Sequence, residues 1–410
     1  MAASLVLNTI YNTDYADGVW RPVGAEAAIA SSENGVRVIN KPYRPENARM
    51  PAALPPASDT LVRDEAAFRP APPVFAALDL GTNNCRLLVA RPARRERGCE
   101  GFKVIDAFSR VVRLGEGVCS SGLLSPAAMD RTVEALRVCA QKMERRQVTS
   151  FRAVATEACR RAANCTEFMV RVKDETGLAI EIIDTEEEAA LAVAGCVPLL
   201  DRDTPYGLVF DIGGGSTEVS FFKLEEGGGH ELRKIISIPL GVVSLAERFG
   251  CQDIGRTVYE AMIAEVAPHL EKFEAICSIG QRIKAGEVQM LGTSGTVTTL
   301  AGMSMGLARY DRSKVDGTFL GFDQVQEMTT RLVSLDYAGR AAQPCIGHDR
   351  ADLVLAGCAI LDAICRRWPV GRLRVGDRGV REGILFGLLE RHETGRVRHA
   401  TGPHYRRLTL

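Results

Sequence analysis

Two short loops carry the residue types that phosphate chemistry requires. Residues 79–84 (DLGTNN) follow the apolar run 74–78, and residues 211–217 (DIGGGST) follow the apolar run 206–210. Glycine lets backbone N–H groups approach an anion closely, and an aspartate at a strand end is placed to hold a metal ion directly or through water. We therefore expect phosphate and a divalent cation at these loops, with the candidate residues Asp79, Gly81, Thr82, Asn83, Asp211, Gly213, Gly214, Gly215, Ser216 and Thr217.

Neither loop matches the common nucleotide-binding motifs. A P-loop contains a Lys-Ser/Thr pair and leads into a helix, and a dinucleotide fingerprint also opens a helix. Both loops here lack that lysine and continue into strands, predicted at residues 85–90 and 218–222. The repeated strand–loop–strand unit indicates a duplicated domain.

The surrounding pattern alternates strands with helices, which predicts an α/β fold with helices packed on mixed sheets. Ser125 and Pro126 form an N-cap and first-turn pair, and apolar residues recur at helical spacing after them. One helix is predicted over residues 159–175, and another begins at an acidic run that starts at Glu186. Further strands are predicted at residues 102–112, 151–155, 180–183 and 288–291.

The chain divides into four segments. Residues 1–73 are rich in Ala, Pro, Asn and Ser and are predicted to form a disordered extension, with a short docked helix or strand as the alternative. Residues 74–190 are assigned to a first lobe, residues 191–395 to a second lobe, and residues 396–410 to a tail. The last helix of the second lobe has the alternative of crossing back to the first lobe.

Charge and composition restrict the classes of function. The chain has 51 basic and 51 acidic side chains, and this neutral balance argues against a nucleic-acid-binding protein. No continuous run of about 20 apolar residues occurs, so no membrane span is expected. The 12 cysteines form no Cys-x-x-Cys pair, and we interpret them as free thiols of a cytoplasmic protein.

Four segments together resemble the exopolyphosphatase/guanosine pentaphosphate phosphatase (Ppx/GppA) family of the actin-like ATPase superfamily. They are residues 77–83 (ALDLGTN), 183–189 (IDTEEEA), 211–218 (DIGGGSTE) and 378–385 (RGVREGIL), and the region around Arg160 also fits. The second and fourth segments make the resemblance specific, because actin lacks them. It covers residues 74–390 and implies two actin-like (ribonuclease H-like) lobes, with mixed sheets flanked by helices and a cleft between them.

The resemblance implies a catalytic role for the acidic segment. Glu188 aligns with the catalytic glutamate of the family, with Glu187 as the alternative. We expect Glu188 to orient or deprotonate water and to share a metal ion with Asp79 and Asp211. The family often has a basic residue two positions after this glutamate, where this chain has Ala190.

Arginines and a third loop complete the implied site. Guanidinium groups match phosphate oxygens, so Arg86, Arg113, Arg160 and Arg381 are candidate phosphate ligands, and the resemblance places Arg113 and Arg160 ahead. Residues 292–296 (GTSGT) open a helix and match the nucleoside-side loop of the superfamily. In a phosphatase we expect this loop to position phosphates, through Gly292, Ser294 and Gly295.

The resemblance implies a Mg²⁺-dependent exopolyphosphatase, a homodimer that releases orthophosphate from the end of inorganic polyphosphate. Hydrolysis of guanosine pentaphosphate (pppGpp) at its 5′ end is the nearest alternative. A non-hydrolytic sensor and a sugar-type kinase are weaker alternatives, because the acidic residues are intact and no sugar-site motif is present. Family members with a long C-terminal helical domain bind long chains across a dimer. This sequence shows no such extension, so processive action on long polymers is not expected.

Overall fold

The computed structural model describes residues 13–16, 19–22, 72–93, 101–225, 229–250 and 254–394. The larger of the two units of the chain comprises Tyr15–Trp20 with Pro73–Leu410. The predicted extension over residues 1–73 and the predicted tail over residues 396–410 lie almost entirely outside the described residues. Two short strands are the main exception, β1 (Thr13–Ala16) and β2 (Val19–Pro22).

The first half of the larger unit builds one mixed sheet. Its elements are β3 (Phe75–Leu80), β4 (Asn84–Pro92), β5 (Phe102–Val111), α1 (Val118–Ser121), α2 (Pro126–Arg145), β6 (Ser150–Ala155), α3 (Glu157–Arg161), α4 (Cys165–Thr176), β7 (Glu181–Ile182) and α5 (Thr185–Cys196). The strand order is β1-β2-β6-β3-β4-β5, with β7 also beside β6. β3 pairs antiparallel with β4 and parallel with β6.

The second half repeats this arrangement. A short 3₁₀ turn at Val197–Leu199 precedes β8 (Tyr206–Ile212), β9 (Thr217–Leu224), β10 (His230–Ile238), α6 (Val242–Phe249), α7 (Arg256–Cys277), α8 (Ile279–Lys284), β11 (Val288–Thr293), α9 (Gly295–Ser304), α10 (Arg312–Val315), β12 (Phe319–Gly321), α11 (Phe322–Ser334), α12 (Tyr337–Ala341), α13 (Val354–Arg367), β13 (Arg372–Gly376) and α14 (Val380–Glu393). The strand order is β10-β9-β8-β11-β13-β12. β8 pairs antiparallel with β9 and parallel with β11, as β3 does with β4 and β6. The predicted α/β fold with two mixed sheets is confirmed. None of the helices in the described residues combines the length and apolar character that crossing a membrane requires.

Local sequence signals predict the start of α2 correctly but do not predict the interruption between α3 and α4. Ser125 Oγ accepts a hydrogen bond from the N–H of Ala128, so the predicted N-cap of α2 is confirmed. The single helix predicted over residues 159–175 is wrong, because the chain breaks between α3 and α4. Asn164 donates to and accepts from the backbone of Leu124, and the N–H of Ala163 donates to the carbonyl of Gly122. These long-range hydrogen bonds replace helical ones.

Helix α5 lies between the two sheets. Its Leu191 and Ala192 belong to the buried cluster that covers Phe75 and Ala77 of the first sheet. Val193 and Cys196, which lie on another side of the helix, belong to the cluster that includes Val209, Phe222 and Leu291 of the second sheet. The helix is therefore buried on nearly all sides beyond its first turn, with one side against each sheet.

Helix α14, the last in the described chain, returns to the first sheet and packs along α5. Val380, Ile384, Leu385 and Leu388 share the buried cluster of Phe75 and Leu88. Glycines allow the two helices to touch backbone to backbone. A Cβ added to Gly383 would overlap the carbonyl of Leu191, and one added to Gly195 would overlap the carbonyl of Gly379.

This contact gives a test of the fold. Gly383→Ala should lower the free energy of unfolding by about 1–3 kcal/mol, because the new methyl group forces α14 away from α5. Gly387→Ala on the same helix is the matched control, since its Cβ would meet only the end of Arg391 at 3.9 Å. That control should be neutral or stabilising by up to about 1 kcal/mol through helix propensity. Urea unfolding of the two variants measures both effects, and equal stabilities would contradict the packing.

Candidate active site

The first aspartate loop is the turn between β3 and β4. Asp79 is the penultimate residue of β3, and the N–H of Gly81 donates to the carbonyl of Asn84 at 2.9 Å, which closes the turn. Thr82 and Asn83 are buried. The carbonyl of Asn83 accepts two backbone N–H groups from the residues that follow β5. The side-chain Oδ1 of Asn83 is buried and has no hydrogen-bond partner among the described residues, so it can accept a hydrogen bond from a ligand.

The second aspartate loop is the turn between β8 and β9. Asp211 precedes the last residue of β8, and the N–H of Gly213 donates to the carbonyl of Ser216 at 2.9 Å. Two predicted phosphate donors point into the protein instead. Ser216 Oγ donates to Glu218 Oε1 at 2.7 Å, and Thr217 Oγ1 donates to a backbone carbonyl after β10 at 2.8 Å. The N–H groups of Gly214 and Gly215, rather than the hydroxyl groups, are left to bind an anion, because the N–H of Gly213 already closes the turn.

The two loops meet face to face. A Cβ on Gly214 would lie 2.9 Å from Thr82 Cβ and 3.2 Å from the backbone nitrogen of Asn83. A Cβ on Gly215 would lie 3.0 Å from Thr82 Oγ1. Side chains at either position would push the loops apart. The glycines are thus required for the close approach of the first and second lobes, in addition to any role in binding phosphate.

The third loop lies beside the second at the same edge of the sheet. β11 runs parallel to β8, and Thr293 pairs with Asp211. Gly292 packs on the ring of Phe210, and Ser294 Oγ caps α9 by accepting from a backbone N–H. Gly295 is the first residue of α9, and no other atom lies within 4 Å of the position its Cβ would take. Gly292 and Ser294 therefore have structural roles, and phosphate contact by this loop stays a prediction.

The acidic segment forms the first turn of α5, and its three glutamates point in different directions. Asp184 caps the helix by accepting from the N–H of Glu187 at 2.8 Å. Glu186 is exposed. Glu187 Oε1 accepts from Arg152 at 2.6 Å, at the side of the first sheet. Glu188 Oε2 accepts from Arg160 at 2.7 Å and has a side chain that is only 13% exposed. Of the two candidates for the catalytic glutamate, Glu188 is the one beside the aspartate loops.

Four carboxyl groups share this buried place. Burial raises the pKa of Glu188 to about 8, with repulsion from Glu218 adding to the shift and Arg160 opposing it. Burial raises the pKa of Asp211 to about 7, and Glu188 is the next cause. Burial also raises the pKa of Asp79, against the charge of Arg86. Such a group of carboxylates is fully charged near neutral pH only when a cation joins it.

Glu218 is a site residue that the sequence reasoning missed. It is only 4% exposed, and it accepts from Ser216 Oγ and from Ser237 Oγ at 2.9 Å. Burial raises its pKa to about 7, against the hydrogen bond from Ser216. A signal was present in the sequence, because a single glutamate interrupts the apolar strand that follows the second loop. A charged side chain buried in a strand requires a partner or a function.

The arginines divide into two groups. Arg113 forms an ion pair with Asp352 at 2.9 Å and so connects the first lobe to the second. Arg160 is held by Glu157 and Glu188. The predicted contact of Arg113 and Arg160 with phosphate stays a prediction, and in this conformation both guanidinium groups already have carboxylate partners.

Arg86 and Arg381 are placed differently. Arg86 pairs with Asp79 in the register of β3 and β4, and both arginines act on Asp79 and Asp211 by lowering their pKa values. Burial lowers the pKa of Arg381, and the charge of Arg86 adds to this effect. Within the described chain, neither guanidinium has a carboxylate at ion-pair distance. These two arginines are therefore the positive groups most available to phosphate.

The residues present fit a magnesium ion held mainly through water. No three His, Cys, Asp or Glu side chains among the described residues lie close enough to form a direct metal cage. Mg²⁺ does not need one, because it usually keeps several waters and uses one or two carboxylates. Asp79 and Asp211, one from each loop, would supply the oxygen ligands, and the first loop also holds the buried Oδ1 of Asn83, which has no hydrogen-bond partner among the described residues.

The repeated hairpin-and-parallel-strand sheets, with aspartate loops that meet between them, define a two-lobed, actin-like phosphate-binding protein. Comparison with protein families narrows this class. Residues 93–392 match the model of the Ppx/GppA phosphatase family. The chain belongs to this family.

Individual relatives agree with that assignment. Exopolyphosphatase 2 of Mycobacterium tuberculosis is 30% identical over 76% of this chain and 98% of its own length. The guanosine-5′-triphosphate,3′-diphosphate pyrophosphatase of Aeromonas salmonicida is 28% identical over 77% of this chain, which spans 60% of that relative. The crystal structure of the Aquifex aeolicus Ppx/GppA family member is 28% identical, covers 78% of this chain and 98% of its own, and has a TM-score of 0.63.

The raised pKa values predict that stability falls with rising pH when divalent cations are removed. A carboxyl group whose pKa is raised by folding stabilises the folded state fully below its unfolded pKa, and this contribution is lost as the pH rises through the folded pKa. For Glu188 the loss extends from about pH 4 in the unfolded reference to about 8. Glu188→Gln should therefore lose less free energy of unfolding between pH 5 and pH 9 than the wild type.

Urea unfolding in chelator at pH 5, 7 and 9 measures the difference between the two proteins. Glu175→Gln is the control, because Glu175 pairs with surface arginines Arg137 and Arg171 away from the site. Identical pH dependence of wild type and Glu188→Gln would show that the carboxyl group is not buried among like charges.

Proposed function

We propose that the protein is an exopolyphosphatase, which hydrolyses the terminal phosphoanhydride bond of inorganic polyphosphate and releases orthophosphate. The observation that carries the proposal is the position of Glu188, a buried carboxyl group at the start of α5, beside Asp211 and Glu218 where the aspartate loops meet. Membership of the Ppx/GppA phosphatase family supports it, as does the name of the Mycobacterium tuberculosis relative.

Binding of the terminal phosphate falls to backbone and arginine donors. The N–H groups of Gly214 and Gly215 have no acceptor among the described residues, and the absence of side chains there lets an anion approach them. Guanidinium groups also pair well with phosphate oxygens. Arg86 and Arg381 provide that charge next to Asp79 and Asp211. Together these groups hold the phosphorus in position and stabilise negative charge as the bond breaks.

Glu188 provides the base. Its carboxylate orients a water molecule and takes a proton from it while the water oxygen forms a bond to the terminal phosphorus. The bridging P–O bond breaks on the opposite side, and the shortened chain leaves with the bonding electron pair. The proton then passes from Glu188 to solvent or to product phosphate, which returns the carboxylate to its starting state.

Asp79 and Asp211 would hold the magnesium ion, through water, with Glu188 beside them. When bound, the ion neutralises phosphate oxygens and lowers the pKa values of the surrounding carboxyl groups, so that Glu188 is ionised at neutral pH. Without the ion, burial favours the protonated form of Glu188. With the ion bound, Glu188 is charged and can act as the base.

Hydrolysis of pppGpp at its 5′ end is the second candidate. The same donors, carboxylates and Glu188 would serve it, because the 5′ end of pppGpp is also a chain of phosphoanhydrides. The name of the Aeromonas salmonicida relative, a guanosine-5′-triphosphate,3′-diphosphate pyrophosphatase, favours this reaction. The groups proposed to bind phosphate would bind polyphosphate and pppGpp alike, so they do not distinguish the two substrates.

Three expectations stay proposals beside this function. We propose a homodimer on the family resemblance alone. We propose the cytoplasm as the compartment, because thiols with the spacing found in this sequence suit a reducing environment. The neutral charge balance supports a phosphate-chain substrate over a nucleic-acid partner.

Phosphate release tests the reaction. The purified protein with Mg²⁺ should release orthophosphate from polyphosphate or from pppGpp, and excess chelator should abolish the release, because the carboxylates then lose the cation that keeps them charged. Side-by-side kcat/KM values on the two substrates decide between the candidates. Release from neither substrate would refute the proposed function.

Substitutions at two neighbouring glutamates test whether Glu188 is the base. Glu188→Gln should lower kcat by about 10²–10⁴-fold, the usual contribution of a general base, and leave substrate affinity nearly unchanged. Glu186→Gln is the matched control, because Glu186 lies in the same helical turn but is exposed. A Glu188→Gln variant as active as this control would rule out Glu188 as the base.

A further inference from the structure

Glu157 lies between the second-lobe loop and the catalytic segment, although it belongs to neither. It is the first residue of α3, and its side chain is only 15% exposed. Its Cγ lies 2.9 Å from the position that a Cβ of Gly215 would take, so its stem packs against the glycine loop of the second lobe. A carboxylate in this place, beside a loop that binds anions, requires an explanation.

Arg160 supplies that explanation, because it connects Glu157 to Glu188. Its Nε and Nη2 donate to Glu157 Oε2 at 3.3 and 3.1 Å. Its Nη1 donates to Glu188 Oε2 at 2.7 Å and to the carbonyl of Ile183 at 2.9 Å. A guanidinium group has five N–H donors, and four of them are used here. One donor remains, which is too few for a two-pronged contact with phosphate.

We propose that Glu157 is a positioning residue for the phosphohydrolase reaction, which anchors Arg160 so that its Nη1 holds the carboxylate of Glu188 toward the attacking water. The inference rests on the proposed function. Glu157 touches neither substrate nor water in this role, and it acts only through Arg160.

A simple helical ion pair would not have this geometry. Glu157 and Arg160 are three residues apart in one helical segment, and such pairs are often exposed and weak. Here both side chains are largely buried, at 15% and 17% exposed, and the arginine is shared with a carboxylate from a different helix. Removal of one partner in such a network frees the arginine to rotate and leaves the other carboxylate without its support.

The contact with Gly215 links this network to the meeting of the lobes. Glu157 and Arg160 belong to the first lobe, whereas Gly215 belongs to the second. The glycine loop therefore limits where the stem of Glu157 can lie, and so where the guanidinium group of Arg160 can lie. When the loops are in contact, as they are here, Arg160 is aimed at Glu188.

The test compares variants on the substrate that the wild type hydrolyses. Glu157→Ala should lower kcat by about tenfold or more, and change KM by less than about threefold, because the base is misplaced while the phosphate ligands remain. Glu157→Gln should keep kcat within about threefold of the wild type, because its amide oxygen still accepts from Arg160. Glu175→Ala is the matched control, since Glu157 has ion pairs with Arg160 and Arg161 and Glu175 has ion pairs with Arg137 and Arg171, neither of which contacts Glu188.

A double-mutant cycle separates positioning from a merely structural effect. If Glu157 acts only through Arg160, Glu157→Ala combined with Arg160→Ala should be no slower than Arg160→Ala alone. Thermal unfolding confirms that the variants are folded. Should Glu157→Ala fail to fold, Glu157→Asp replaces it, because the shorter side chain keeps the charge but loses reach, and the same fall in kcat is expected.

The outcomes distinguish the inference from the proposed function. An inactive wild type would refute the function itself. An active wild type whose Glu157→Ala variant keeps kcat within about twofold, as the Glu175→Ala control should, would overturn the positioning role. A rise in KM without a fall in kcat, or losses that multiply in the cycle, would also overturn it, because Glu157 would then act directly or independently of Arg160.

Discussion

The contact between the backbones of α5 and α14 is the constraint on which the rest of this structure depends. Helix α5 must pass between two sheets and still carry a charged first turn into the site. Gly195 and Gly383 let α14 approach so closely that no Cβ fits between the two helices. Because the later turns of α5 are packed so closely, they fix the position of the first turn, which carries Glu188. Packing of this kind, on a rigid element, gives a catalytic group a defined position.

The close packing also accounts for a departure from the family pattern. Ala190 stands where relatives often have a basic residue, and it is only 5% exposed. Ala189, Leu191 and Ala192, its neighbours on α5, are buried as well, as expected for a helix enclosed by two sheets. A positive charge beside Glu188 is provided by Arg160, which lies in the first lobe.

Much of the fold and part of the site could be predicted from the sequence. The apolar runs that end in Asp-x-Gly, the N-cap at Ser125 and the acidic start of α5 are local signals, and the structure forms the expected elements there. The break after α3 could not be predicted, because it depends on hydrogen bonds from Asn164 to a distant segment. The inward hydroxyl of Ser216 depends in the same way on a buried partner, Glu218.

The pairing of charged side chains is even harder to predict from the sequence. The sequence favours Arg113 and Arg160 over Arg86 and Arg381, yet the structure pairs the first two with carboxylates of Asp352, Glu157 and Glu188 and leaves the other two beside Asp79 and Asp211. Whether an arginine is available to a ligand depends on which carboxylate lies nearest in space. That information appears only when the helices and strands are assembled.

The return of α14 to the first sheet has a consequence for synthesis of the chain. Phe75, Ala77 and Leu88 on one face of that sheet are covered by apolar residues of α14, which are translated roughly 300 residues later. Leu191 and Ala192 of α5 cover part of this face earlier, but the part under α14 stays uncovered until the second lobe has been translated. A chain that ends before α14 therefore exposes apolar side chains of the first sheet, which favours aggregation.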